Sequence, residues 1–389
     1  MTGAGTPPSV IESQLRRLRA LQDVDRIVVD TGSFTAQGST KARAYRQLAH
    51  ERSVLGMTDP IHQTHGLTAN GAAALGSDFA RCGLVFDAVH AEHHARFTDP
   101  FGVTWDWADG APSAVSHPLE KATYRDITRL GAPKAAGRIV PGEASCARNR
   151  GLAPVCDAPL PGLLELCIRM RGQARFIEDL AGEPRTAGAL LDWAEQVILD
   201  AYERVFAALP ERPAIVFYED DLGHQLGLFV AEDQFQSVLA PRMAAIVAAL
   251  SKHAEAGVAF LGRGAISPLL RPLSDLGFTY LSVQTDAAGM SIADVRRRIP
   301  ASMVLHGLTD FDALCRALRA GQADALLDIA LTHALAWPVI AAPAAPYPST
   351  TTVEDIAWAS NYLKALGLGQ KASRAEIVAE RLPAATVPR

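Results

Sequence analysis

The chain predicts a (β/α)8 TIM barrel, an α/β fold, with an N-terminal helical extension and an insertion at the barrel mouth. Three observations carry this expectation. Short apolar runs alternate with longer amphipathic stretches, the pattern of strands and crossover helices in a parallel sheet. Eight such runs fall within about 350 residues, the number a closed barrel needs. No Gly-rich dinucleotide fingerprint follows any of them, which removes the main argument for an open nucleotide-binding sheet.

The strands are expected at RIVVD (26–30), CGLVFD (82–87), APVCD (153–157), AIVFY (214–218), VAFL (258–261), YLSVQ (280–284), SMVLH (302–306) and WPVIAA (337–342). Helical spacing covers 164–181, 186–208, 232–256, 267–276, 291–299, 310–319 and 353–366. An amphipathic helix from Val10 to Leu21 precedes the barrel, so residues 1–24 read as tail and helix. Residues 25–370 then form the barrel and 371–389 a C-terminal tail. The Pro- and Gly-rich stretch around 102–133 reads as the mouth insertion.

Composition narrows the function classes. The 389 residues are 49% hydrophobic and 20% charged with a net charge of −5, which fits a globular protein with a large core. No basic block marks a nucleic-acid surface, and no run of about 18 apolar residues marks a membrane span. The N-terminus has no basic start followed by an apolar segment, so no signal peptide is expected. Cysteines at 82, 146, 156, 167 and 315 are odd in number and lack CxxC spacing. Reduced thiols in a cytoplasmic enzyme are the expectation, rather than disulfides or a Cys-rich zinc site.

Polar residues close most of the strands: Asp30, Asp87, Asp157, Asp220 with Asp221, Arg263, Gln284 with Asp286, and His306. In a barrel these ends converge on one pocket at the C-terminal face. Any single acid could instead cap the helix that follows it. Repetition at strand after strand favours a shared site.

Stretches such as YEDDLGHQLGLF (218–229) and FTYLSVQTDAAGM (278–290) resemble segments of the uroporphyrinogen decarboxylase-like superfamily, which joins that decarboxylase with corrinoid- and thiol-linked methyltransferases. YEDDLGHQLGLFVAEDQFQSVLAPRMAAIVAAL (218–250) resembles its DDxGxQxG segment, and FTYLSVQTDAAGMSIADVRRRIPASMVLHGLTD (278–310) its VQ-x-x-AGMD run. FGVTWDW with the later SHPL, and PLPGLLELCIRMRGQARFIEDLAGEP, are similar to two further family stretches in the same order. The resemblance runs from about residue 25 to 366 and implies a (β/α)8 barrel. For the methyltransferase members it also implies zinc held by H-x-C after the fifth strand and by a Cys near the eighth. Here those places hold Gly262, Arg263 and Gly264, and Ala345. Zinc is therefore not expected, and no cofactor is required; a corrinoid enters only under a methyl-transfer reading. The decarboxylase's arginine-rich loop is replaced by DTGSFTAQGSTKARAYRQL, so uroporphyrinogen itself is not the expected substrate.

The candidate chemistry follows. Asp87, in FD after the second strand, stands nearest the family's central aspartate, one residue out of step. Asp220 and Asp221 match the family's acidic pair; like charges raise one pKa, so one could serve as general acid. Glu219 is expected to point away. Catalytic roles fall to Asp87, Asp221 and His306, and substrate contacts to Asp157, Asp220, His224, Gln225, Arg263 and Gln284. Arg263, flanked by glycines, suits a substrate carboxylate or else a salt bridge to Asp221 or Asp286. His306 reads as an acid–base group or as a satisfied core histidine, and His224 as a ligand contact or an exposed histidine. HAEHH (90–94) and HQTHG (62–66) read as surface histidines more readily than as metal sites, since HExxH spacing is absent. Metal-independent decarboxylation of a small carboxylated molecule is the first expectation. Methyl transfer with a corrinoid protein and a non-thiol acceptor is the alternative, and a non-catalytic binding protein a third. A homodimer is implied by the family.

Overall fold

Eight parallel strands run in sequence order around the molecule: β1 (Val28–Val29), β2 (Phe79–Cys82), β3 (Ala153–Cys156), β4 (Ile215–Glu219), β5 (Gly257–Gly262), β6 (Tyr280–Val283), β7 (Val304–Thr309) and β8 (Val339–Pro343). The structure is a computed structural model and describes residues 10–22, 24–33, 42–59, 64–85, 96–106, 112–131 and 138–366. From β2 to β8 each strand pairs with the next, and β8 pairs back onto β1, which leaves β1 and β2 without a ladder between them. This is a (β/α)8 barrel.

At the seam between β1 and β2, Asp78 bonds to the backbone of β1 through both its main chain and its side chain. Asp78 donates its backbone N–H to the Val29 carbonyl at 2.7 Å, and its carboxylate accepts the Val29 N–H at 2.8 Å. A side chain thus supplies a bond that a neighbouring strand would otherwise make. Two 2.6 Å bonds from Arg26 and a 3.0 Å pair with Lys364 hold that carboxylate in place.

Side chains alternate across each strand, so period two decides what the barrel encloses. Val28, Phe79, Val155, Phe217, Leu261, Tyr280, Val304 and Ile340 share one buried cluster inside it. Helix α1 (Val10–Arg19) adds Ile11, Leu15 and Leu18 to that cluster. It closes the end of the barrel where the strands begin, with Arg19 donating to the carbonyl of Ala256, one residue before β5. Residues of the opposite parity, such as Val29, Val216, Tyr218 and Leu305, pack outward under the helices.

Two sequence expectations need correction. The second barrel strand is Phe79–Cys82, not 82–87; Leu84–Val85 instead pairs antiparallel with Arg138–Ile139. Asp87 therefore does not close that strand, and it lies outside the described residues, as does HAEHH. The single helix expected over 164–181 is two, α2 (Leu163–Arg171) and Gln173–Gly182. They break at Gly172, whose φ of 84° suits glycine and whose added Cβ would lie 3.1 Å from the His117 ring. The insertion forms a three-stranded antiparallel sheet over Arg96–Thr98, Thr104–Asp106 and Ser113–Ser116. It packs on α2, with Arg169 over the Trp105 ring. Among the described residues, no helix is long and apolar enough to cross a membrane.

Candidate active site

Two positions beyond each interior residue, the strands present Asp30, Arg81, Asp157, Glu219, Arg263, Ser282, His306 and Ala342. The same parity that fills the barrel therefore aims these side chains at its C-terminal mouth. Three of them form a buried node. Arg81 Nη2 donates to Asp30 Oδ2 at 2.9 Å, and its Nε lies 3.2 Å from Asp157 Oδ2. His306 Nε2 meets the same Asp30 oxygen at 2.9 Å. Asp30, Arg81 and His306 each expose 3% or less.

The charges of this node fix its protons. Burial pushes the Asp30 carboxyl up, but Arg81 and His306 outweigh it and hold Asp30 below the usual carboxylate range. An ionised carboxylate only accepts, so His306 Nε2 must carry the hydrogen. In the neutral ring the lone pair then lies on Nδ1, 3.4 Å from the Ser282 hydroxyl. The edge-on contact of Phe217, at 5.2 Å between centroids, limits rotation of the ring. Arg81 itself stays charged, since Asp157 and Asp30 outweigh its own desolvation. Hydrogen-bonding capacity is left over: among the described residues, Asp30 Oδ1, Arg81 Nη1 and the buried Thr31 and Tyr45 hydroxyls have no hydrogen-bond partner.

His306 and Ser282 face a cavity of about 550 Å³ at the ends of β5 to β8. Its walls include Arg263, Gln284, Asp286 and Asp310 among apolar groups such as Leu261, Val283 and Pro343. Gln284 accepts the Gly264 N–H at 3.1 Å, which fixes its amide at the rim. Arg263 is 47% exposed and already paired, with Glu219 at 3.5 Å and Asp221 at 3.8 Å. Asp221 also accepts the Arg263 backbone N–H at 2.9 Å. Glu219, expected to point away, instead turns inward to Arg263.

Asp220 departs from expectation for the complementary reason. Its parity is that of Val216 and Tyr218, so it points outward and is fully buried. Its carboxylate accepts the N–H groups of Leu164 and Glu165 at 3.0 and 2.9 Å and the Tyr218 hydroxyl at 3.0 Å. Burial pushes its pKa up to about 7 against those bonds. Asp220 anchors the start of α2 and does not line the cavity. The acidic pair is thus split between two faces, and no shared proton joins its members.

His224 and Gln225 lie on a small hairpin, Gly223–His224 paired with Gly227–Leu228, and both are exposed away from the cavity walls. His224 Nδ1 accepts the Leu226 N–H at 3.3 Å. Gly262, Arg263 and Ala345, at the places where the resemblance implies zinc ligands, all line the cavity and offer a metal neither thiolate nor imidazole. Among the described residues, no group of three or more His, Cys, Asp or Glu is placed to hold a metal ion. The residue that sequence reasoning missed is Arg81. Its signal is an arginine two places after Phe79 in FARC, and a strand at 82–87 begins three residues too late to include it.

No family model matches the chain, and no curated protein matches it. Among solved structures, a methyltransferase from Methanosarcina mazei is similar in fold. The TM-score is 0.59 at 14% identity, over 95% of this chain and 98% of that one. The likeness is one of fold. It extends over nearly the whole of both chains.

Proposed function

We propose that the chain is an enzyme of the uroporphyrinogen decarboxylase-like group that transfers a methyl group to a heteroatom of a small molecule, with His306 as the base. The observation that carries this reading is the His306–Asp30–Arg81 node opening onto the 550 Å³ cavity. Its support is the sequence resemblance together with the end-to-end fold likeness to a methyltransferase. An acceptor's N–H or O–H gives its proton to His306 Nδ1 as the new bond to the methyl carbon forms. The bond from that carbon to its carrier breaks, and its electron pair stays with the carrier. Asp30 stabilises the imidazolium that results, and Arg81 keeps Asp30 ionised. No zinc ion enters this scheme, because an alcohol or amine activated by a base needs no thiolate. The carrier is a methylated corrinoid, free or on a partner protein.

Decarboxylation of a small acid draws less from the cavity. Arg263, the guanidinium expected to grip a carboxylate, is already shared by Glu219 and Asp221. The test is to incubate the purified protein with methylcobalamin and a panel of small amines and alcohols, and to follow methylated product by mass spectrometry. Product formation that falls about 10²–10⁴-fold in His306→Ala supports the reading. No product from the wild type, or equal product from the variant, overturns it.

A further inference from the structure

We infer that the cavity takes a small organic cation, an ammonium-bearing molecule, in place of an anion. The inference rests on reading this cavity as the substrate site and names the substrate class. Its basis is the balance of charge on the walls. Asp286 and Asp310 line the cavity, and Arg263 is the cation among its described walls. That guanidinium is paired with Glu219 and Asp221, which stand outside the walls, so two wall carboxylates and two more beside them are set against one positive group.

The four acids differ in what occupies them. Glu219 and Asp221 are turned to Arg263, and Asp221 is tied to it a second time through the backbone N–H. Asp310 caps helix α3 (Phe311–Ala320), accepting the Ala313 N–H at 2.8 Å. Asp286 is exposed and makes no ion pair among the described residues. An arriving carboxylate would have to displace two acids from Arg263 and approach two more. An arriving ammonium meets a field of favourable sign and an unpaired carboxylate in Asp286. The remaining walls, among them Leu261, Val283, Leu308 and Pro346, accept alkyl groups on such a cation. The node beside them fits the same class: His306 Nδ1 can take the proton that an ammonium group must lose before its nitrogen becomes a nucleophile.

Three isosteric probes isolate the charge: choline, the neutral 3,3-dimethylbutan-1-ol and the anionic 3,3-dimethylbutanoate. Calorimetric titration of the full chain is expected to show choline binding at least about tenfold tighter than the neutral isostere, with the anion weakest. Asp286→Asn should remove most of the advantage of choline over the neutral probe, and added salt should reduce it. Equal binding of the three, strongest binding of the anion, no binding at all, or a choline preference unchanged in Asp286→Asn each overturns the inference. A methylation assay with methylcobalamin and dimethylaminoethanol separates this from the proposed reaction. Choline binding through Asp286 without product sinks the methyl-transfer reading and leaves the cation site standing. Product from an alcohol in a protein that ignores choline does the reverse.

Discussion

His306 Nε2 and Asp30 Oδ2 lie 2.9 Å apart although 276 positions separate the two residues in sequence. Arg81 contacts the same oxygen, so one carboxylate holds both an imidazole and a guanidinium. Asp30→Asn tests what that contact sets. An amide can turn its NH2 toward Nε2 and move the ring hydrogen to Nδ1. Nitrogen-15 NMR of His306 should report Nε2–H in the wild type and a shift toward Nδ1–H in the variant. A tautomer unaffected by the substitution would refute the orientation argued above.

Arg81→Met should be among the most damaging single changes in the barrel. It leaves Asp30 and Asp157 facing each other, largely buried, without their common cation. The expected loss is about 3–5 kcal/mol, read from urea unfolding. Adding Asp30→Asn and Asp157→Asn to the same chain should recover much of it. If the triple variant is as unstable as the single one, shape and not charge explains the loss.

Arg263→Ala provides the contrast. Its ion pairs are long and its side chain is 47% exposed, so the stability change should stay below about 1 kcal/mol. The same urea measurement checks it. A loss as large as that for Arg81→Met would place Arg263 in the fold instead of at the rim.

Asp220 predicts a pH dependence with a definite sign. Its pKa is raised from 3.8 to about 7 on folding, so the folded state binds more protons between those values. The contribution of Asp220 to stability is then greatest at low pH and declines as pH rises through that window, by at most about 1.4 kcal/mol per unit. Asp220→Asn lacks this titration and also breaks the match to the α2 N–H groups. The variant should be less stable than wild type at pH 5 and closer to it at pH 8. A gap that widens with pH would reverse the sign argued here.

Gly162→Ala probes the same anchor sterically. The added Cβ would sit 2.4 Å from Asp220 Cβ and 2.6 Å from the Glu219 carbonyl oxygen. The neighbours are a fully buried side chain and a strand backbone, so destabilisation of about 1–3 kcal/mol is expected in thermal or urea melts. A variant as stable as wild type would show that α2 can move away from β4.

The sequence by itself determined the alternation of strands and helices, and with it the barrel and the mouth where Asp30, Asp157, Arg263, Gln284 and His306 gather. It also held the parity that separates Glu219 from Asp220, because side-chain direction along a strand is a local property counted from Phe217. The tertiary structure alone decided which strand ends touch. Closure of the barrel sets β1 beside β8 and β2 and brings His306 from β7 to Asp30, so contacts across hundreds of residues depend on strand tilt and stagger that no local pattern records. Closure also decided the sign of the cavity, since the charge on Arg263 is offset by acids from a neighbouring strand end whose direction the chain sets but whose distance only packing fixes.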